Sequence, residues 1–274
     1  MSTKKILVPV IMDQVGVNAL NYAKQLMNGE DASYSILCLR NPFFNFLNSS
    51  PVLTDLEFAE KVESYFLNNS NVESKELRVI IDSDEIVSGI LKFANSGKYD
   101  RVVIGRKKKH NVIRKMLGTI SLGVVKQASI PVYVVPENFE FKPLRTVLVS
   151  IGEKLSEKQS DFMIKWNKKY NAFLKIIHFI TDDNEDLSFN KDEDNLINSL
   201  FYQDELTFEY EIMNKKVDSV SDQLKSIDKE EVQMIMLFSG HQFLIESWMY
   251  GSNTKDLMNR CSLPVLYAPE KMFQ

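Results

Sequence analysis

The chain has 274 residues, 44% of them hydrophobic and 26% charged, which is the composition of a globular protein with material for one large domain or two of ordinary size. The formal net charge is −4, and this argues against a general nucleic-acid binder because such proteins are usually basic. No apolar run approaches the roughly 18 residues that span a bilayer, and the N-terminal run is too short for a signal peptide, so we expect a cytoplasmic protein without a membrane partner.

The first half of the chain alternates apolar, β-branched segments with segments of helical spacing. The almost continuous Val and Ile run at residues 6–10 is typical of a strand that is buried on both faces. Apolar residues three apart, as at Leu20, Ala23 and Leu26, indicate helices. The predicted strands are 6–10, 34–39, 76–81, 101–104 and 131–135, and the predicted helices are 18–27, 56–67, 86–94 and 121–127.

The second half repeats this alternation. Its predicted strands are 146–149, 173–177, 207–212, 234–237 and 265–267, and its predicted helices are 162–170, 195–201 and 217–227. The acidic stretch at residues 181–195 contains few apolar residues and is interpreted as a loop. Because buried strands alternate with helices, each half is predicted to be an α/β structure with a parallel sheet and right-handed crossovers.

Two similar segments, one near the end of each half, indicate an internal repeat of one structural unit. GTISLGVVKQASIPVYVVP begins at Gly118, GSNTKDLMNRCSLPVLYAP begins at Gly251, and prolines recur at the same offsets in both. We therefore predict two tandem Rossmann-like domains, residues 1–141 and 142–274, each with an open parallel sheet of about five strands and helices on both faces.

The basic stretch GRKKKHNVIRKMLGTIS, residues 105–121, follows the predicted strand 101–104. Ligands of open parallel sheets bind beyond the carboxyl ends of the strands. Gly105 allows a tight exit from the strand, and Thr119 or Ser121 is expected to cap a helix that starts after Gly118. Since a helix N-terminus attracts phosphate, the stretch is either an anion site or a solvated loop, and the solvated loop is favoured for residues 106–110. A nucleic-acid site is disfavoured because aromatic residues are not interleaved with the basic ones.

Four segments of the first half, ILVPV, VVIG, LGTIS and IPVYVVP, resemble the universal stress protein family. Two such halves in one chain are similar to the tandem two-domain form of that family, and the Lys, Asn, Ile and Phe content is similar to members from Bacteroidetes-type bacteria. The resemblance implies an ATP site in the first domain, with the phosphates bound by Gly105, Lys108, Gly118, Thr119 and Ser121. It also implies that the last strands, PVYVV and PVLYA, pair, so that the two domains form an intramolecular pseudo-dimer; further protein partners or a homodimer stay open.

The ATP motif of that family is degenerate in this chain. Its middle glycine falls on Lys108, whose side chain limits backbone approach but can bind phosphate as a charge. Its aspartate after the first strand falls on Ile11, which has no acceptor in its side chain, and Asp13, two residues later, is expected to point elsewhere. The loss of a partner for a ribose hydroxyl costs about 1–3 kcal/mol.

The second half departs further from the motif. Only Gly251 and Ser252 remain as a vestige, while Phe238 and His241 stand at the positions of the other two glycines, and Gly152 stands at that of the aspartate. His241, with Ser239 nearby, invites a catalytic interpretation, but no G-x-S-x-G nucleophile motif is present and a loop histidine is favoured. We therefore predict no catalytic residue.

Two other groups of residues have chemical interpretations. Asp82 and Asp84 follow the third strand and could serve a metal, but a polar turn that starts the next helix is favoured. Cys38 and Cys261 lie far apart in apolar segments, so we expect buried free thiols and no metal site.

The function predicted from these residues is that of a non-enzymatic stress-response or regulatory protein. ATP or another phosphate-containing ligand in the first domain is its candidate cofactor. One alternative is an ATP-binding, slowly ATP-hydrolysing stress protein, and another is a small-molecule sensor that uses the cleft of the second half.

Overall fold

The computed structural model describes residues 3–40, 53–107, 112–151, 156–180, 206–214, 231–238 and 263–273. It is an α/β fold whose chain divides into two compact units. The first unit comprises Met1–Phe141 with Pro264–Met272 and Gln274, and the second comprises Lys142–Leu263 with Phe273. The chain divides after Phe141, and the C-terminal segment Pro264–Met272 is grouped with the first unit.

The first unit is built on a mostly parallel sheet in the order β3-β2-β1-β4-β5-β10. The first five strands are parallel, and the C-terminal strand β10 lies antiparallel to β5, with Val265 opposite Val134. PVYVV and PVLYA thus pair, as the resemblance implied. The strands are β1 (Lys4–Val10), β2 (Ala32–Leu39), β3 (Leu77–Asp82), β4 (Arg101–Arg106), β5 (Val132–Pro136) and β10 (Val265–Ala268), and the helices are α1 (Gln14–Leu26), α2 (Asp55–Asn69), α3 (Ile86–Ala94) and α4 (Val112–Gln127).

The second unit contains a parallel sheet in the order β9-β6-β7-β8. Its strands are β6 (Thr146–Ile151), β7 (Phe173–Ile180), β8 (Phe208–Asn214) and β9 (Met234–Phe238), and α5 (Glu157–Tyr170) follows β6. The predicted helices at 195–201 and 217–227 lie outside the described residues.

The strands form where the sequence has continuous aliphatic runs, because a parallel strand covered on both faces buries every residue. Ile6, Leu7 and Val8 of β1 are fully buried, and all five residues of β5 and of β9 are buried. Cys38 of β2 is a free, buried thiol, as predicted, and burial raises its pKa to about 11. Cys261 lies outside the described residues.

Side chains at the helix N-termini explain where several helices begin. Thr54 and Ser156 each form a reciprocal capping box, with Glu57 and Gln159 respectively, at the starts of α2 and α5. The side chain of Asp13 caps α1 by accepting a hydrogen bond from the Gly16 N–H at 2.9 Å. These caps satisfy backbone donors that the first helical turn leaves unpaired.

The predicted start of α4 is wrong. The helix begins at Val112 rather than at residue 121, so Gly118 and Thr119 lie inside it. The sequence explains this extension, since Ile113, Met116 and Ile120 continue the helical apolar spacing. A glycine inside a helix costs about 1 kcal/mol relative to alanine, which favourable neighbours can offset.

Within the described part of the chain, no helix is both long and apolar enough to cross a membrane.

Candidate functional site

A small cleft opens at the carboxyl ends of β1 and β4 in the first unit. The sheet order reverses between these neighbouring strands, because β2 lies on one side of β1 and β4 on the other, and open α/β sheets bind ligands at such a point. The cleft has a cavity volume of about 90 Å³. Its walls come from β1, β2, β4 and the helices α1, α3 and α4, and are mainly aliphatic.

Gly105 lies near the end of β4 and lines this cleft. A Cβ atom added there would lie 2.5 Å from Cγ1 and 2.8 Å from the carbonyl oxygen of Val15 in the first turn of α1. The close packing of α1 against β4 therefore favours a glycine here without any ligand.

Asp13 contributes to the cleft, and the expectation that it points elsewhere is wrong. One carboxylate oxygen caps α1 through the Gly16 N–H, and the other forms an ion pair with the Lys107 ammonium. Each of the two paired side chains is 23% exposed. The N-cap role could have been found in the sequence, since an aspartate directly precedes the apolar pattern of the helix, but the pairing with Lys107 could not.

Ile11 lies at the mouth of the cleft with 48% of its surface exposed. Its backbone carbonyl accepts a hydrogen bond from the Asp13 N–H at 2.8 Å. The resemblance expects an aspartate at this position, whereas the side chain of Ile11 presents an apolar surface to a ligand.

The basic stretch is partly used inside the fold rather than left in solvent. Arg106 is the last residue of β4 and is buried, while Lys107 is engaged by Asp13. The solvated-loop interpretation is therefore wrong for these two residues. Lys108 lies outside the described residues.

The remaining predicted phosphate ligands do not lie at a helix entrance. Gly118 and Thr119 are in the interior of α4, beyond the first turn, where backbone N–H groups are bonded within the helix. Ser121 is completely buried in the same helix, so the prediction that it or Thr119 caps the helix is wrong. The error came from placing the helix start at the glycine, whereas the apolar spacing continues upstream of it.

The acidic turn after β3 is occupied by a lysine of the chain itself. The Lys92 ammonium donates to Asp82 at 2.7 Å and to Asp84 at 2.9 Å, and the Asp84 N–H donates to the Asp82 carboxylate at 2.9 Å. The hydrogen bond from Lys92 lowers the pKa of Asp82, and the two carboxylates raise the pKa of Lys92 to about 12. This arrangement is the predicted polar turn before a helix; among the described residues, no group of three or more His, Cys, Asp or Glu side chains is placed to hold a metal.

In the second unit an aromatic cluster occupies the carboxyl end of β9. Phe238 packs edge-on against Phe162 of α5 with ring centroids 6.2 Å apart, and its ring lies 6.1 Å from that of Phe273. The glycine that the resemblance would place at Phe238 is thus replaced by a buried ring in an aromatic cluster. Gly251, Ser252 and His241 lie outside the described residues.

The first unit also matches a known family by sequence: residues 2–136 match the model of the Universal stress protein family. Residues 2–136 form a universal stress protein domain. The search of curated proteins finds no match to the chain.

Solved structures of low sequence identity share the fold over nearly the whole chain. A universal stress protein from Archaeoglobus fulgidus DSM 4304 is similar with a TM-score of 0.63 and 17% identity, covering 98% of this chain and 99% of the other. A putative universal stress protein from Pseudomonas aeruginosa UCBPP-PA14 has a TM-score of 0.62 and 11% identity, with 98% and 94% covered. The cytoplasmic domain of a prokaryotic cation chloride cotransporter is similar with a TM-score of 0.56 and 11% identity, with 100% and 98% covered.

The strand-end cleft of this universal stress protein domain has a mainly aliphatic lining among the described residues. Its entrance presents an aliphatic side chain and a closed ion pair. The glycine and threonine expected at the phosphates lie within a helix.

Proposed function

We propose that the chain is a tandem universal stress protein of a bacterium, and that it is a non-enzymatic, cytoplasmic stress-response or regulatory protein. The internal sequence repeat supports the tandem form, as does the likeness of 98% of this chain to 99% of the chain of a universal stress protein structure. In this proposal the two sequence halves form an intramolecular pseudo-dimer through their last strands, and the antiparallel pairing of β5 with β10, the last strand of the second half, supports it.

The observation that carries the proposal is the chemistry of the first-domain cleft. Ile11 exposes an aliphatic side chain where a ribose would need an acceptor, and Asp13, the nearest carboxylate in sequence, is already used by Lys107 and by the cap of α1. An ATP molecule would have to break this ion pair or leave its ribose hydroxyls unpaired, at about 1–3 kcal/mol for each lost partner. We infer that nucleotide affinity is low and that the protein acts by binding partners.

One observation favours a second candidate function, that of an ATP-binding or slowly ATP-hydrolysing protein. Lysine binds phosphate as a point charge, and Lys107, which follows β4 in the sequence, lines the cleft. In that candidate Lys108 and Gly105 lie at the phosphates.

Isothermal titration of the full-length chain with ATP, ADP and AMP, with and without magnesium, tests the proposal. We expect no saturable heat below millimolar nucleotide. Micromolar ATP binding that Lys108→Ala weakens and Lys98→Ala leaves unchanged would contradict the proposal and support the second candidate. Lys98 is a suitable control because it is an exposed lysine before β4, at the opposite end of that strand.

A further inference from the structure

We propose that the cleft of the first unit binds a small aliphatic α-amino acid as its zwitterion. The hydrocarbon side chain would enter the cavity, and the ammonium and carboxylate would pair with Asp13 and Lys107 respectively. This inference rests on the proposed binding role of the chain and names the ligand class of its first-domain site.

The shape and lining of the cavity favour an aliphatic group. Branched aliphatic residues form most of its wall, and no aromatic side chain is among the described residues that line it: the wall includes Val10, Leu37, Leu39, Ile90, Ile104 and Ile120. A purine therefore finds no described ring to stack on. The cavity volume of about 90 Å³ is below the ~150 Å³ of a cavity that accommodates benzene, so it suits a side chain of about four carbons better than a ring.

The charges at the entrance favour a ligand that carries both signs. Asp13 and Lys107 are the charged residues among the described lining, and they are paired with each other. A ligand with only a carboxylate would take Lys107 and leave the Asp13 carboxylate without its cation, and an amine would do the reverse. A partly buried charge that loses its partner is costly, whereas a zwitterion offers a new partner to each residue.

The Asp13 carboxylate is held in place by a hydrogen bond within the fold, which suits it to receive a ligand. Asp13 is fixed because one oxygen accepts the Gly16 N–H at 2.9 Å, so its other oxygen is held toward Lys107. Both side chains are 23% exposed, but the Asp13 oxygen that faces Lys107 is itself buried, so the ligand ammonium would take the place of the Lys107 ammonium at that oxygen. The Asp13 carboxylate is thus positioned before any ligand arrives, which lowers the entropy lost on binding.

Titration calorimetry of the full-length chain with L-leucine tests the ligand class. Isocaproate, which lacks the amine, and isopentylamine, which lacks the carboxylate, are the matched probes, and L-phenylalanine tests the size limit. We expect L-leucine to bind and each of the three other compounds to bind at least about tenfold more weakly.

Two conservative variants test the residues. Asp13→Asn keeps an N-cap side chain, because asparagine caps as well as aspartate, but removes the charge. Lys107→Gln removes the other charge. Each is expected to weaken L-leucine binding about tenfold or more. Lys24→Gln, which breaks a comparable partly buried ion pair with Glu76 at the other end of α1, is expected to leave it unchanged; circular dichroism verifies that all three are folded.

The inference is overturned if L-leucine gives no saturable heat at about 10 mM, a concentration at which a millimolar complex would form. It is also overturned if isocaproate or isopentylamine binds as tightly as L-leucine, or if Lys24→Gln weakens binding as much as Lys107→Gln. Failure with L-leucine while ATP also gives no heat would overturn the inference and leave the proposed non-enzymatic role intact. Micromolar ATP binding would contradict that role, and saturation by ATP but not by L-leucine would overturn both.

Discussion

Replacement of Gly105 by alanine separates a structural glycine from a phosphate-binding one. The added Cβ would lie 2.5 Å from Cγ1 and 2.8 Å from the carbonyl oxygen of Val15. The side chain of Val15 can rotate, but its carbonyl belongs to the first turn of α1, so the helix itself has to move away from β4. Overpacking of this kind costs about 1–3 kcal/mol, and we expect Gly105→Ala to lower the free energy of unfolding by that amount.

Urea denaturation followed by far-UV circular dichroism measures this change in the absence of any ligand. Gly123→Ala is the matched control: the three atoms nearest its Cβ would all belong to the side chain of Val87, at 3.1–3.8 Å, and alanine is favoured over glycine in the interior of α4 by about 0.5–1 kcal/mol. If Gly105→Ala unfolds at the wild-type urea concentration, the packing argument is refuted and a ligand-binding reason for this glycine gains support.

Three further outcomes are expected. Lys92→Met should lower the free energy of unfolding at neutral pH, because it removes the ammonium that pairs with the Asp82 carboxylate and lowers its pKa in the folded state. The stability that this pair contributes is present above the unfolded-state pKa of Asp82 and is lost as the pH falls through the folded-state pKa. The urea midpoints of variant and wild type should therefore converge in acid. In a Cys261→Ser background, Cys38 should react with iodoacetamide at least about 100-fold more slowly than free cysteine at neutral pH, because burial raises its pKa to about 11; a rate near that of free cysteine would contradict its burial. Deletion of residues 264–274 removes β10 and uncovers the edge of β5, so sedimentation velocity should show self-association, and a monodisperse truncated monomer would count against the role of β10 as an edge cover.

Much of the secondary structure follows from the local sequence. A strand occurs at each of the ten predicted positions, and the helices predicted at 18–27, 56–67, 86–94 and 162–170 are present with ends shifted by a few residues. The largest local error is at α4, where Gly118 predicts a later helix start although the apolar spacing begins at Ile113. Periodicity outweighed a single glycine, because burial of an apolar face contributes more than one residue's propensity.

The candidate site was less predictable. The sequence indicated the strand ends as the place for a ligand and found Gly105 and Ile11 there, but it missed the ion pair that closes the cleft. It also missed Lys92 as the partner of Asp82, and the aromatic packing of Phe238. These contacts join residues on different elements, and the spacing of residues along the sequence does not predict them.

The amino-acid sequence by itself determined the alternation of strands and helices, because the backbone geometry of each element imposes a fixed apolar period on its sequence. It also carried the resemblance of its first half to a family. Only the tertiary structure decided which side chains meet at the carboxyl ends of the strands. Parallel pairing of β1 with β4 brings Asp13 and Lys107 together, and the return of the C-terminal strand to β5 sets the membership of the first unit. Such contacts depend on strand order, which local periodicity does not encode.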